Sequence, residues 1–308
     1  MLSGQVRILN FDDSVVKQNK LLRQFNPVII DFSGIGPYCR LWSNKKTAAE
    51  IKKCLNPEWK RSITFLGSGD FHHISALLIE QFEEDFCIVI FDLHPDLDNL
   101  PPRFSCGSWV NLVAAQKAVK KIVIIGASSE DLSFPHNMTF NFGWFKDARV
   151  ELYPFYHAPS LMLLKNLREN NFIHTDGRGI FQRINWENLR DKDIGQAMTD
   201  IIERLPTKHI YISIDKDCLN LNYALTNWEP GVLSLGWLLE AIKILKNNTT
   251  IIGMDIVGDY SPVKTNSLFK KFCSKWDHPR QLAQEISFDK INEINEATNL
   301  KILELFLG

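Results

Sequence analysis

Carboxylate and imidazole side chains follow two strongly apolar segments of this chain. Asp92, His94 and Asp96 come after the run FCIVIF, and Asp215 and Asp217 come after the run HIYISI. Because side chains two residues apart point to the same side of an extended segment, the members of each group are expected to converge. Carboxylates with an imidazole form a ligand set that suits a borderline-to-hard divalent ion such as Mn²⁺. For either group alone, a polar strand end in a turn or a helix cap is the alternative.

The two acidic groups together strengthen the case for a metal ion. At one edge of a sheet, their four aspartates would bring four negative charges close to one another. Without a cation, mutual repulsion would raise the pKa values of these carboxyls and destabilise the fold. The sequence therefore predicts a cation at this point.

Two further segments carry polar residues at the end of an apolar run. Residues 67–75 read GSGDFHHIS, where glycines permit a tight strand-to-helix turn and a histidine at the helix start faces the sheet edge. A surface pair or a core histidine would also account for two adjacent histidines. Residues 253–262 read GMDIVGDYSP and place Asp255 and Asp259 near a strand end, although an Asp/Gly turn explains the same pattern.

Short apolar runs predict the strands that must position these residues. The runs are nearly continuous in Val, Ile, Leu and Phe, which is typical of parallel strands covered on both faces by helices. The predicted strands are 27–32, 63–67, 86–94, 121–126, 209–215 and 251–256, with a weaker one at 171–174. The predicted helices are 75–82, 109–119, 194–205 and 235–245. This alternation predicts a three-layer α/β/α sandwich with a mostly parallel central sheet, formed by one domain over residues 1–308. Ligands of such sheets bind beyond the carboxyl ends of the strands.

Composition narrows the function classes. Lys and Arg (35) nearly balance Asp and Glu (36), so the chain lacks the basic footprint of a nucleic-acid-binding protein. Six scattered cysteines without a CxxC pair argue against a disulfide scaffold and a zinc knuckle. The sequence also lacks a signal peptide, an apolar run of about 20 residues, a phosphate loop and a Gly-x-Ser-x-Gly elbow. We expect a soluble, cytoplasmic protein without nucleic-acid or membrane partners.

In order along the chain, these four segments resemble the motifs of the arginase/agmatinase/formiminoglutamase (ureohydrolase) family. Those motifs are Gly-Gly-Asp-His, Asp-x-His-x-Asp, Ser-x-Asp-x-Asp and Gly-x-Asp-x-x-Glu-x-x-Pro, and the second and third match without gaps. The resemblance implies an arginase-like α/β/α fold with two divalent metal ions, Mn²⁺ by expectation, that activate a bridging hydroxide. It also implies a small-molecule substrate. Family members commonly assemble into trimers or hexamers, which leaves a homo-oligomer as an open expectation.

The resemblance implies six metal ligands. Carried over position by position, they are His72, Asp92, His94, Asp96, Asp215 and Asp217. His72 is preferred because an ungapped match sets residues 69–72 over the family's Gly-Gly-Asp-His, and His73 remains the alternative.

The chain departs from the family where the substrate is handled. Cys106 stands where the family has a histidine that helps to shuttle protons, and Gly258 stands where it has a glutamate that contacts the guanidinium. Counting back from Pro262 places the shorter Asp259 in that position across one inserted residue. These departures weaken any claim for arginine. Glu229 either contacts the substrate or lies in a solvated loop.

The sequence therefore predicts a divergent ureohydrolase-like metal hydrolase that cleaves a C–N bond of a guanidino, amidino, imino or amide group. The predicted catalytic residues are Asp255, Asp259 and Cys106. Asp255 or Asp259 would hold the cationic end of the substrate or protonate the leaving amine, and Cys106 would either take part in the chemistry or only line the pocket. One rival is a non-catalytic protein that keeps the fold and binds a metal, ligand or partner. Another is a mononuclear deacetylase on a related fold, against which the presence of both Asp96 and Asp217 argues.

Overall fold

The computed structural model describes residues 2–163, 167–177, 180–278 and 286–307. Its strands are β1 (Val6–Asn10), β2 (Val28–Asp31), β3 (Ile63–Gly67), β4 (Phe86–Phe91), β5 (Val119–Ile125), β6 (Val150–Tyr153), β7 (Ser160–Leu163), β8 (Ile173–Asp176), β9 (Phe181–Trp186), β10 (His209–Asp215) and β11 (Thr250–Val257). Its helices are α1 (Asn19–Phe25), α2 (Gly36–Cys39), α3 (Lys45–Cys54), α4 (Ser75–Ile79), α5 (Trp109–Ala114), α6 (Gly143–Lys146), α7 (Ile194–Glu203), α8 (Leu235–Asn248), α9 (Leu268–Asp277) and α10 (Phe288–Leu307).

Eight of the strands form one parallel sheet in the order β2-β1-β3-β11-β10-β4-β5-β6. Every residue of β1, β3, β4 and β6 is buried, as expected for strands covered on both faces. A small antiparallel sheet, β7-β9-β8, accompanies the main one and contains the weak strand predicted near residues 171–174. The predicted α/β fold with a mostly parallel central sheet is confirmed.

The order of the strands explains how the predicted ligands meet. β10 lies between β4 and β11, and Ile214 pairs in register with Phe91. Asp92 and Asp215 each follow directly in the chain, so their side chains leave neighbouring strands at the same edge of the sheet. β3, whose end leads to His72, lies on the far side of β11.

Some elements differ from the prediction at their ends. The strand predicted for residues 86–94 stops at Phe91. There Asp92 turns the chain by accepting a hydrogen bond from the backbone N–H of His94 at 2.7 Å, and Pro95 has no N–H to continue the ladder. Helices α4 and α5 are shorter than predicted because turns follow Ile79 and Ala114.

Strand β1 was missed, although it lies inside the sheet between β2 and β3. Its sequence VRILN is short and contains Arg7, which is unusual in a buried strand. Arg7 is tolerated there because its Nε donates a hydrogen bond to Oγ1 of Thr64 on β3 at 2.7 Å. As to membrane segments, the helices of the described ranges include none with the length and apolar character that a bilayer span requires.

Candidate metal centre

Both histidines of residues 67–75, His72 and His73, lie in a short 3₁₀ helix, Gly69–Ile74, which begins two residues after the end of β3. Ser68 caps this helix by accepting a hydrogen bond from the backbone N–H of Asp70. His72 is buried, and its Nδ1 lies 3.1 Å from Oδ2 of Asp92, 3.3 Å from Oδ2 of Asp96 and 3.6 Å from Oδ2 of Asp215. One imidazole nitrogen thus faces three carboxylates from two strands.

The second histidine occupies the other side of the same acidic cluster. Nδ1 of His94 lies 2.9 Å from Oδ2 of Asp217 and 3.8 Å from Oδ1 of Asp92. The other oxygen of Asp217 accepts a hydrogen bond from the backbone N–H of Leu93 at 3.1 Å. This contact joins the loop after β4 to the loop after β10 and holds the two sets of ligands together.

The donor atoms fall into two groups that share one residue. His72, Asp92 and Asp96 form one group, and Asp92, His94 and Asp217 form the other. Within each group the donor atoms lie within 4.8 Å of one another, which is close enough for a single cation. Because Asp92 belongs to both groups, the arrangement suits two ions linked by a shared carboxylate.

The electrostatics of the cluster fit a cation. Burial and the neighbouring charges of Asp96 and Asp217 raise the pKa of Asp92 well above its usual range. Burial and the charge of Asp217 raise the pKa of Asp215 to about 8. Carboxyls with raised pKa values are disfavoured as anions, and a bound divalent cation would remove that cost. The buried donor set therefore fits the metal ions that the resemblance implies.

Two of the predicted ligands, Asp96 and His72, are oriented by partners behind them. Asp96, with φ of 49° in the left-handed region, accepts a hydrogen bond from Nε1 of Trp109 at 2.6 Å. Nε2 of His72 lies 2.9 Å from Oγ of Ser213, and that hydroxyl donates to Oδ1 of Asp255 at 2.7 Å. Since the hydroxyl proton is used on Asp255, Ser213 accepts from Nε2–H of His72. That tautomer leaves a lone pair on Nδ1, directed at the carboxylates.

Asp255 therefore takes a different place from the one predicted. It is fully buried behind His72, where it accepts hydrogen bonds from Ser213 and from the hydroxyl of Tyr211, the latter at 2.7 Å. Neither it nor Asp259 is among the residues that line the cavity in the described part of the chain. The side chain of Asp255 on β11 instead contacts Ser213 and Tyr211 of the neighbouring strand β10.

His73, the alternative ligand, points elsewhere. Its Nε2 lies 2.8 Å from Oγ of Ser43, and its ring packs edge-on against Phe104. Burial and the nearby charge of Lys270 lower the pKa of His73 to about 3. The structure places His72, and not His73, against the carboxylates.

A cavity of about 290 Å³ opens over the cluster. Its lining includes the predicted ligands and Cys106. Burial and the charges of Asp70 and Asp96 raise the pKa of the Cys106 thiol well above its usual range, so this side chain is neutral near neutral pH. A neutral thiol is a poor substitute for a proton-shuttling imidazole.

Three further acids line the cavity and were missed by the sequence analysis. They are Asp98, Asp131 and Asp277. Asp98 continues the alternation of Asp92, His94 and Asp96, so the spacing offered a signal for it. Asp131 lies in a short 3₁₀ helix, Glu130–Leu132, and Asp277 ends α9, and neither belongs to a recognisable motif.

Glu229 lies at the edge of the centre. Its Oε1 is 3.6 Å from Nε2 of His94, and nearly half of its side chain is exposed. The contact with the His94 ring lowers the pKa of this carboxyl despite partial burial. The preceding residue, Trp228, packs edge-on against the His94 ring. Glu229 is therefore a partly solvated loop acid, and it also contacts the predicted ligand His94.

The position that carries the family's glutamate is closed to side chains. Gly258 has φ of 87°, and a β-carbon there would lie 2.5 Å from Oδ1 of Asp215 and 2.7 Å from the backbone N of Lys216. The next residue, Asp259, is buried and points to Nζ of Lys216, 2.9 Å from its Oδ1. The predicted contact between Asp259 and a substrate cation therefore does not fit its placement.

Part of this sequence is similar to known protein sequences. The sequence model of the Arginase family matches residues 166–268, which include both the 213–217 and the 253–262 motifs. An uncharacterized protein of Thermotoga maritima is 27% identical over 203 residues, which cover 66% of this chain and 60% of that relative. The chain thus aligns with less than two thirds of the relative's length.

Several solved structures share the fold. Formimidoylglutamase from Bacillus subtilis superposes with a TM-score of 0.60 at 12% identity, covering 100% of this chain and 88% of that one. Arginase from Bacillus subtilis gives 0.54 at 15% identity, covering 99% and 98%. Proclavaminate amidino hydrolase from Streptomyces clavuligerus gives 0.55 at 11% identity, covering 96% and 91%. The resemblance to the arginase/agmatinase/formiminoglutamase family is confirmed by the family match and by the shared fold.

Proposed function

We propose that this chain, with its arginase-like fold and family match, is a dinuclear metal hydrolase that cleaves a C–N bond of a small cationic molecule. The observation that carries the proposal is the pair of donor groups that share Asp92 at the base of a cavity. Arginase-family members are hydrolases of C–N bonds, and this arrangement supports the same general chemistry here.

The proposed ligands divide into two sets. His72 and Asp96 would hold one ion and His94 and Asp217 the other, and the carboxylate of Asp92 would be shared. Asp215 lies within reach of the first set, 3.6 Å from His72, and belongs to the centre as well. When bound, two divalent cations, most suitably Mn²⁺, would polarise the substrate and lower the pKa of a water molecule towards neutrality.

The protein's own residues would set the geometry of this reaction. The Ser213–Asp255 pair fixes the tautomer of His72, and Trp109 fixes the carboxylate of Asp96. The buried cluster excludes bulk water from one side of the reacting group, which strengthens every charge interaction there. Cys106 contributes a neutral cavity wall, so proton transfer to the leaving amine falls to water or to one of the cavity acids.

The lining of the cavity supports a cationic substrate. Apart from the two histidines, its charged residues within the described ranges are all aspartates. Asp98, Asp131 and Asp277 add negative charge beyond the proposed ligands. A guanidino, amidino or imino group is attracted by such a wall, whereas a carboxylate on the substrate finds no lysine or arginine partner among the described lining residues. This favours substrates other than arginine.

A non-catalytic binding protein on the same fold is the second candidate. The departures at Cys106 and Gly258 favour it, since they remove two groups that the family uses on its substrates. A mononuclear deacetylase is disfavoured because the second donor group, with Asp217, lies as close together as the first.

Metal counting followed by a turnover panel tests the proposal. We expect two Mn²⁺ per chain and release of urea, ammonia or an amine from at least one guanidino, amidino, imino or amide compound. Two ions without turnover of any compound would favour the binding protein, one ion would favour the mononuclear enzyme, and no ion would refute all metal-dependent readings.

Location and assembly complete the proposal. We expect a cytoplasmic protein, and the unpaired state of its six cysteines suits a reducing compartment. An assembly of several copies is expected from the family resemblance. Fractionation and sedimentation measurements test these two points separately.

A further inference from the structure

A buried lysine lies between two of the proposed metal ligands. Lys216 separates Asp215 from Asp217 in the single 3₁₀ turn that follows β10, and its side chain is fully buried. Removing an ammonium group from water is strongly unfavourable unless the charge is compensated. A lysine at such a position therefore requires a dedicated partner.

Asp259 is that partner. Nζ of Lys216 lies 2.9 Å from its Oδ1, and Lys216 finds no hydrogen-bond acceptor of good geometry among the described residues, so charge dominates the contact. The carboxylate is held from two other directions. Gln18 donates to Oδ1 at 2.7 Å, and Asn299 donates to both oxygens at 3.3 Å. Asn299 also donates to Oε1 of Gln18 at 2.9 Å, which locks the two amides together.

The backbone supports the same connection. The N–H of Asp259 donates to the carbonyl of Gly67 at the end of β3, at 3.0 Å. Gly258 packs against the turn so closely that its missing β-carbon would lie 2.5 Å from Oδ1 of Asp215. The loop after β11 thus contacts the turn that carries Asp215 and Asp217 in two ways. Gly258 packs closely against it, and the Lys216–Asp259 ion pair joins the two segments.

We propose that Lys216 and Asp259 are positioning residues that fix the turn carrying Asp215 and Asp217 and so set the affinity of the metal centre. This inference rests on the proposed metal centre and gives Asp259 a function away from the substrate. The ammonium group of Lys216 also interacts with the charge of Asp215, which offsets part of the carboxylate repulsion. Partners behind metal ligands typically contribute 10–100-fold to metal affinity.

The test uses Lys216→Met, Asp259→Asn and the double variant of the full-length protein. Mn²⁺ affinity is measured by competition with a chelator, and the unfolding temperature of the metal-free protein is measured in parallel. We expect each single variant to bind Mn²⁺ at least about 10-fold more weakly than the wild type. The double variant, which leaves no unpaired buried charge, is expected to fall between the wild type and the single variants.

Lys121→Met is the matched control. Nζ of Lys121 lies 2.7 Å from Oε1 of the buried Glu151, and this ion pair joins β5 to β6. Both residues lie near the amino-terminal ends of their strands, whereas the proposed ligands lie at the carboxyl ends. We expect Lys121→Met to lower the unfolding temperature and leave Mn²⁺ affinity unchanged. This separates a general loss of stability from a loss of ligand positioning.

The outcomes are distinct. Single or double variants that bind Mn²⁺ as tightly as the wild type would overturn the inference and leave the metal centre intact. A wild-type protein that does not bind Mn²⁺ would instead overturn the proposed function. If the single variants do not fold, the double variant decides alone, since unchanged affinity in it overturns the inference and weakened affinity supports it.

Discussion

Gly258 and Asp215 approach each other so closely that a β-carbon on the glycine would lie 2.5 Å from Oδ1 of the aspartate. The backbone of Gly258 also has φ of 87°, which residues with a side chain rarely adopt. When the family's motif is aligned from its aspartate, the resemblance sets this position against the glutamate that contacts the substrate. The absence of a side chain here is therefore built into the packing of the proposed metal centre.

Replacing this glycine is expected to damage both stability and metal binding. Gly258→Ala introduces a β-carbon into an occupied space at a strained backbone angle, which is expected to cost about 1–3 kcal/mol in the free energy of unfolding. Denaturant unfolding and Mn²⁺ titration measure the two effects. Gly34→Ala is the control, because nothing lies within 4 Å of the β-carbon it would add. Equal stability of the two variants would contradict the close approach described here.

The metal-free protein is expected to lose stability as the pH rises from about 4 to about 8. The pKa of Asp215 is raised from 3.8 to about 8 in the folded chain, so within this window the folded state keeps a proton that the unfolded state has released. The unfolded state binds fewer protons, and the free energy of unfolding must fall with rising pH. The raised pKa values of Asp92 and Asp96 act in the same direction.

Thermal unfolding of chelator-treated protein across this range measures the effect. Added Mn²⁺ is expected to reverse the trend near neutral pH, since a bound cation replaces the protons on the carboxyls. A metal-free protein that becomes steadily more stable up to pH 8 would show that the carboxyls are not crowded as the structure places them.

Removing one carboxylate is expected to separate metal binding from stability. Asp96→Ala and Asp217→Ala each relieve repulsion in the metal-free state, so its stability should hold or rise, while metal content and activity fall. Elemental analysis and thermal unfolding of the metal-free variants measure both. Asp131→Asn, which alters a cavity acid outside both donor groups, is the control and should retain two ions. A metal-free Asp217→Ala protein that melts far below the wild type would make this carboxylate structural.

The strands that position the centre were predictable from sequence, and the reason is their burial. β3 and β10 begin and end where the apolar runs do, because parallel strands covered on both faces tolerate little else. The placement of the candidate ligands at the ends of β4 and β10 follows from the same logic, since polar residues directly after such runs must lie at the carboxyl edge of the sheet.

The direction of the acids after β11 could not be predicted in this way. Asp255 and Asp259 lie near a strand end as the candidate ligands do, yet both are turned inwards, towards Tyr211 and Lys216. That outcome depends on the positive φ of Gly258 and on distant partners, neither of which spacing reveals. Asp277 was missed for a related reason, because α9 reaches the cavity from a part of the chain without motifs.

Arginine is expected to be a poor substrate. Its guanidinium would meet Gly258 in place of a glutamate, and its α-carboxylate would face a cavity whose additional charges, Asp98, Asp131 and Asp277, are all negative. Loss of one polar group that is positioned to stabilise the transition state typically costs about 3–4 kcal/mol. The neutral thiol of Cys106 stands in place of a second such group, the proton-shuttling histidine.

A guanidino compound that carries a primary amine in place of the amino-acid end avoids the repulsion and should react faster. Urea release by the Mn²⁺-loaded protein compares the two. For arginine, kcat/KM at or above ~10⁴ M⁻¹s⁻¹ would place this chain in the ordinary enzyme range and show that neither departure limits turnover. If the amine compound reacts faster, Asp277→Asn should narrow its advantage, because the variant removes one of the negative charges that separates the two substrates.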